Sequence, residues 1–314
     1  MPMPMSTYQT TRPARSEFIA LRSLRYHLRR WDAAQPAAAD TPPLVLLHGW
    51  MDVGASYQFV VDALPQGFAQ GRTIIAPDWR GFGLTRPEPK PDYYAFANYL
   101  GDLDQLLKHC AGDRPVDLVG HSMGGNIAML YAGVRPERVR RLVNLEGFGL
   151  PATRPAQAAQ RYAEWLDALD ALQGGAFALN TYDSADSVAR RLVKTNPRLA
   201  PDKAAWLARH WAQPDAAGRW HILGDAAHKT PNPQLYRADE TLAIHSAITA
   251  PVLAVEADSD SMGRWWKDRY SLDEYHQRLQ VVPDCRTAVV QNAGHMLHHD
   301  QPQAVAALIE DFLR

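Results

Sequence analysis

Six short, uniformly apolar runs punctuate the chain: PLVLLHG (43–49), RTIIAPD (72–78), PVDLVGH (115–121), RRLVNLE (140–146), APVLAVE (250–256) and RTAVVQN (286–292). Strands exposed on one face alternate apolar and polar residues. Strands covered by helices on both faces do not, so these runs predict a mostly parallel sheet buried between helical layers. Between several of them the period becomes that of a helix. Ile127, Leu130, Tyr131 and Val134 fall at i, i+3, i+4 and i+7, and Val305, Leu308, Ile309 and Phe312 repeat the spacing near the C-terminus. Each set makes one apolar stripe for packing on a sheet. Ahead of the first run, SEFIALRSLRYHLRRWD (16–32) alternates on both sides of Arg22 and Ser23, the pattern of an antiparallel hairpin at a sheet edge. The predicted fold class is α/β, with a mostly parallel eight-stranded sheet flanked by helices.

The rhythm breaks between residues 150 and 249, where no buried-strand run occurs. Only helical stretches appear, with Tyr162, Trp165, Leu166 and Leu169 on one face, punctuated by prolines and glycines. This predicts a helical cap inserted between the sixth and seventh strands, the core being residues 13–149 and 250–314. The cap tryptophans Trp165, Trp206, Trp211 and Trp220 suit either a binding cavity or ordinary packing between helices. Residues 1–12 are expected to be frayed.

Composition narrows the partners. The 314 residues are 46% hydrophobic, enough for one large core, and 33 basic residues balance 34 acidic ones. No basic stripe calls for nucleic acid, and no run of eighteen apolar residues calls for membrane insertion. Cys110 and Cys285 form no CxxC pair and no disulfide framework, as in a reducing compartment. The expected setting is cytoplasmic, with a small, weakly charged ligand; the oligomeric state is open.

Open α/β sheets bind ligands at the carboxyl ends of their strands, and there the chemistry gathers. In VDLVGHSMGGNIAML (116–130) a strand passes into a helix with Ser122 at the junction, flanked by Gly120 and Gly124. This GxSxG spacing suits a tight turn that lifts the serine hydroxyl out of the fold. A serine needs an adjacent base, and the base needs a carboxylate to hold its tautomer. His295, in the loop after the last strand and preceded by Gly294, is the expected base. His48 and His121 read as loop-stabilising histidines. The oxyanion of acyl transfer needs backbone N–H donors in place: Met123, next after the serine, and Trp50, in the loop after the first buried strand. Trp50, with Trp165, is also a candidate substrate contact. HMLHHD (295–300) has metal-ligand spacing, but no second cluster of ligands accompanies it, so no metal is expected.

LLHGW, APDWRGFGLT with Asp78, Arg80, Gly81 and Gly83, GHSMGG and NAGHMLHHDQP occur in that order. With them the chain resembles an α/β-hydrolase, of the family that includes esterases, haloalkane dehalogenases, epoxide hydrolases and carbon–carbon bond hydrolases. The resemblance covers nearly everything after the first dozen residues, and it implies that residues 150–249 form a lid. Family members acting as dehalogenases or epoxide hydrolases carry aspartate at the elbow. Serine here implies carbonyl attack instead. The resemblance places the acid after the seventh strand, where EADSD (256–260) offers Asp260, although Ala257 replaces the usual glycine. Asp258 is a near neighbour. In some relatives the acid ends the sixth strand, and Glu146 stands there; a glutamate closing a buried strand is costly unless partnered, and His295 is an available partner.

The expected function is a carboxylesterase cleaving a small to medium apolar ester through an acyl-enzyme, with no cofactor. A C–C bond hydrolase acting on a ring-cleavage product would use the same residues. A non-catalytic binding protein on the same fold would need neither Ser122 nor His295.

Overall fold

The computed structural model describes residues 7–34 and 41–314. Its strands are β1 (Arg15–Leu21), β2 (Leu24–Trp31), β3 (Leu44–Leu47), β4 (Ile74–Pro77), β5 (Val116–His121), β6 (Val139–Leu145), β7 (Thr181–Tyr182), β8 (Ala212–Pro214), β9 (Trp220–Ile222), β10 (Val252–Ala257) and β11 (Cys285–Val290). Eight of them form one sheet in the order β1-β2-β4-β3-β5-β6-β10-β11. The first two make the edge hairpin, turning at Arg22, which has φ 53°. From β4 through β11 the neighbours run parallel.

Five of the six apolar runs become strands buried between helical layers, whereas the sixth, β11, lies at the sheet edge and leaves Arg286, Thr287 and Val289 exposed. Leu44, Val45, Leu46 and Leu47 have no measurable exposure, and burying each side chain is worth roughly 2 kcal/mol. On one face lie helices Phe96–Ala111 and Met123–Val134, around Leu103, Leu107, Ile127 and Tyr131. On the other lie Gln58–Ala63 and Pro302–Leu313, around Val60, Val305, Ile309 and Phe312. Of the two predicted stripes, the first departs at Leu130, which is half-buried, and at Val134, which ends its helix 47% exposed.

The chain between β6 and β10 is not helical alone. It holds helices Ala158–Gln173, Ala185–Thr195, Pro201–Trp211 and Ala238–Ser246, and also a small antiparallel sheet in the order β7-β9-β8. Strands of two or three residues are too short to leave a period in the sequence. Val188, Leu192 and Leu207 of this segment pack on Val53 and Phe59, next to the loop after β3. Leu223 accepts a hydrogen bond from Gly83 N–H at 2.7 Å, and the His228 ring stacks between Phe82 and Tyr94, each 3.8 Å away. The segment therefore sits over the carboxyl ends of β3 and β4. Trp206, Trp211 and Trp220 join its apolar contacts with the helix Gln58–Ala63.

Residues 1–6 lie outside the described residues, but the expectation of fraying does not hold for Tyr8 and Arg12. The Tyr8 hydroxyl donates to Asp62 at 3.0 Å, and Arg12 N–H donates to the same carboxylate at 2.8 Å. These are polar anchors, which hydropathy cannot register.

Candidate active site

Ser122 sits between β5 and the helix Met123–Val134 with φ 51° and ψ −115°. A non-glycine residue rarely adopts positive φ, and such strain persists only where the surroundings enforce it. Two neighbours do so. A Cβ on Gly120 would stand 2.4 Å from the Gly124 carbonyl oxygen, and one on Gly124 would stand 2.2 Å from that of Leu47. The two glycines let the turn close against β3. Ser122 N–H donates to the Leu145 carbonyl at 2.8 Å, tying the elbow to the end of β6. Gly49 lies directly opposite: a Cβ there would be 3.2 Å from the Ser122 Cβ. Behind it, Met51 takes φ 53°, and Trp50 is 52% exposed.

His295 stands in the loop after β11, and its Nδ1 is 2.7 Å from Glu146 Oε2. Here the structure corrects the expectation that Asp260 partners the histidine. Asp260 is exposed and caps the short helix Ser261–Trp266, accepting from Gly263 N–H at 2.8 Å. Asp258 is exposed as well. Its carboxylate accepts from Asn292 N–H at 2.9 Å and Ala293 N–H at 3.0 Å, bonds that hold its carboxyl below the usual range and tie together the exits of β10 and β11.

Glu146 follows β6 immediately and is 2% exposed. Its backbone has φ 53°, in a turn closed by Asn144, whose side chain donates to Gly147 O at 3.0 Å and accepts from Gly147 N–H at 2.9 Å. Oε1 accepts from Ala257 N–H at 2.8 Å, leaving Oε2 for the histidine. Burial raises the Glu146 pKa and lowers that of His295. At neutral pH the ring is uncharged, its Nδ1–H donates to the carboxylate, and its Nε2 is left as the basic nitrogen.

Two further side chains bear on His295, and sequence reasoning missed the first of them. The Trp265 ring meets the imidazole edge-on, 4.1 Å between centroids, while staying 43% exposed. His121, read as a loop histidine, uses Nε2 to bond the His295 carbonyl at 2.7 Å, so it holds the base by its backbone. His121 thus plays the loop-stabilising role expected of it, while Trp265 left no signal in the sequence pattern. Trp165, a candidate substrate contact, packs edge-on against Tyr93 at 5.7 Å.

Behind the site, Asp78 accepts from Gly54 N–H, Leu84 N–H and His27 Nδ1 at 2.7–2.9 Å. Arg80 forms a two-pronged pair with the buried Asp102, both bonds 2.6 Å. Together they clamp the loops after β3 and β4.

A family model described as alpha/beta hydrolase fold matches residues 42–302. The chain belongs to that family. A serine hydrolase-like protein of Danio rerio is 27% identical over 87% of this chain and 81% of its own length. An sn-1-specific diacylglycerol lipase of Mus musculus is 26% identical over 98% of this chain and 91% of its own. Among solved structures, the thioesterase domain from the curacin biosynthetic pathway superposes with a TM-score of 0.76 at 23% identity, covering 94% of this chain and 98% of that one. The protein is thus a hydrolase of the α/β fold. Among the described residues no helix is long and apolar enough to cross a membrane.

Proposed function

We propose that this hydrolase cleaves carboxylic esters by a serine acyl-enzyme route. The observation that carries it is the 2.7 Å bond from His295 Nδ1 to Glu146, beside a serine held at an unfavourable φ of 51°. Ser122 Oγ attacks the ester carbonyl while His295 Nε2 takes its proton. Glu146 holds the ring in the required tautomer and stabilises the imidazolium that forms. The oxyanion lies against the N–H groups of Met123 and Trp50; Met123 is the first residue of its helix, where backbone N–H groups have no intrahelical partner. His295 then returns the proton to the leaving alcohol, and water repeats the cycle on the acyl-enzyme.

The substrate class follows from what surrounds the serine. The exposed rings of Trp50 and Trp265 favour a small to medium apolar acyl or alkyl group, with no charge to pair. Residues 150–249 serve as a lid over it. The test is a fluorophosphonate label with p-nitrophenyl esters of increasing acyl length. Wild type should label once, at Ser122, and turn over short esters. Ser122→Ala should lose labelling and at least about a thousandfold of activity while keeping its melting temperature. Inert wild type on every ester, with turnover of a dienoate-type ketone, would replace this assignment by C–C bond hydrolysis. Absence of labelling and of any turnover would leave a binding protein.

A further inference from the structure

The loop after β3 and the short helix Leu297–Asp300 bring together three side chains with no role in the chemistry above. Asp52, His298 and His299 each offer one ligand-type atom, and these atoms all lie within 4.8 Å of one another. All three are buried, at 4%, 0% and 4% exposure. Asp52 Oδ2, both nitrogens of His298 and Nε2 of His299 have no hydrogen-bond partner. Buried polar atoms without partners are rare singly. Three of them, one from each residue, lie close enough together to share a partner.

We propose that Asp52, His298 and His299 bind one first-row divalent transition-metal ion, Zn²⁺ foremost. The donor set fits: two imidazoles and one carboxylate suit Zn²⁺ and its neighbours, whereas Ca²⁺ and Mg²⁺ favour oxygen alone. The three ligand atoms lie within 4.8 Å of one another, so they must draw together to hold a common ion. Bonds of about 2.0–2.1 Å in a tetrahedral site place ligand atoms roughly 3.3 Å apart, and His298 Nε2 stands 3.8 Å from Asp52 Oδ2. A modest inward turn of the side chains completes the set. The Ser56 hydroxyl bonds Asp52 Oδ1, orienting the carboxylate so that Oδ2 faces the imidazoles, as outer partners of metal ligands do.

The site adjoins the base. The His298 ring lies 4.3 Å from that of His121, and His121 holds the His295 carbonyl. An ion on His298 therefore acts on the wall that carries His295. Metal binding itself stands apart from the esterase assignment; only an effect of the ion on turnover rests on it.

The test uses the full chain, stripped with a chelator and titrated with Zn²⁺ and Co²⁺ by calorimetry, with metal content measured after dialysis. Wild type should take up one equivalent, and X-ray absorption should show two imidazoles and a carboxylate oxygen. Asp52→Asn and His299→Gln, each checked for native circular dichroism, should weaken binding by at least about 100-fold. Two folding-competent substitutions guard against one that fails to fold. Wild type without stoichiometric metal, or either folded variant binding as wild type does, would overturn the proposal.

Discussion

Replacing Glu146 by glutamine removes one charge and leaves the shape almost unchanged, yet the structure predicts a large loss of activity. A carboxylate offers two acceptor oxygens, and here both are used: Oε1 by Ala257 N–H at 2.8 Å and Oε2 by His295 Nδ1 at 2.7 Å. A primary amide offers one acceptor and one donor. Ala257 N–H is fixed in the backbone and takes the amide oxygen, so the –NH₂ group faces His295. The ring must then accept at Nδ1 and carry its proton on Nε2, the nitrogen that has to receive the Ser122 proton. Holding a catalytic histidine in the wrong tautomer costs about 10³–10⁴ in kcat, or roughly 4–5.5 kcal/mol of transition-state stabilisation. Asp260→Asn removes only a helix cap that asparagine replaces well, and its kcat should stay within about threefold. Steady-state hydrolysis of p-nitrophenyl butyrate by the two variants separates them. Collapse of Asp260→Asn together with more than a tenth of wild-type kcat in Glu146→Gln would refute the assignment of the carboxylate.

Three more outcomes follow from the same geometry. Gly124→Ala forces a Cβ to 2.2 Å from the Leu47 carbonyl oxygen, so the elbow must shift; thermal melts should show a loss of about 2 kcal/mol or more, and ester turnover should fall with it. Trp265→Ala opens His295 to water and relieves the desolvation that lowers its pKa. A base with a higher pKa is protonated at higher pH, so the acidic limb of the kcat/KM profile should move upward; an unmoved limb would show that Trp265 does not shield the ring. Burial lowers the pKa of His121, His298 and His299, that of His121 to about 3. The unfolded chain then binds more protons than the folded one below pH 6.5, so stability present above that value is lost as pH falls toward the folded pKa values. The loss is up to about 1.4 kcal/mol per pH unit for each ring. Denaturant melts of chelator-treated protein from pH 7.5 to 5 should show it, and a flat profile would contradict it.

What the sequence made legible is what local pattern controls. Each of the five buried parallel strands, β3 to β6 and β10, is a mainly apolar run, and the elbow is a contiguous motif whose glycines answer to atoms within a few residues or on the adjacent strand. His295 was legible because it follows a strand and precedes a helix. The partner of His295 was not, since Asp260, Asp258 and Glu146 all close neighbouring strands. Only hydrogen bonds made across the sheet decide between them. Tyr8 and Arg12 look like a loose terminus until Asp62 is brought to meet them. Asp52 stands far from His298 and His299 along the chain, and only the fold brings the three together.

The ambiguity over the carboxylate has a geometric origin. In the sheet, β10 lies between β6 and β11, so a carboxylate leaving β10 starts one strand nearer to His295 than one leaving β6. Glu146 makes up that distance in two ways. Its side chain has one methylene more than aspartate, and its positive φ turns it toward β10, where Glu146 N–H bonds Val255 O at 2.9 Å. The carboxylate then reaches the end of β10 and takes a hydrogen bond from Ala257 N–H. Ala257 is the position where the resemblance led one to expect glycine and a turn delivering an acid from β10. Here β10 supplies a backbone donor to the acid instead, and Asp260 is left to cap the next helix. Length, turn and donor agree on glutamate after β6, and the same three features explain why an aspartate in place of Glu146 would fall short of the imidazole.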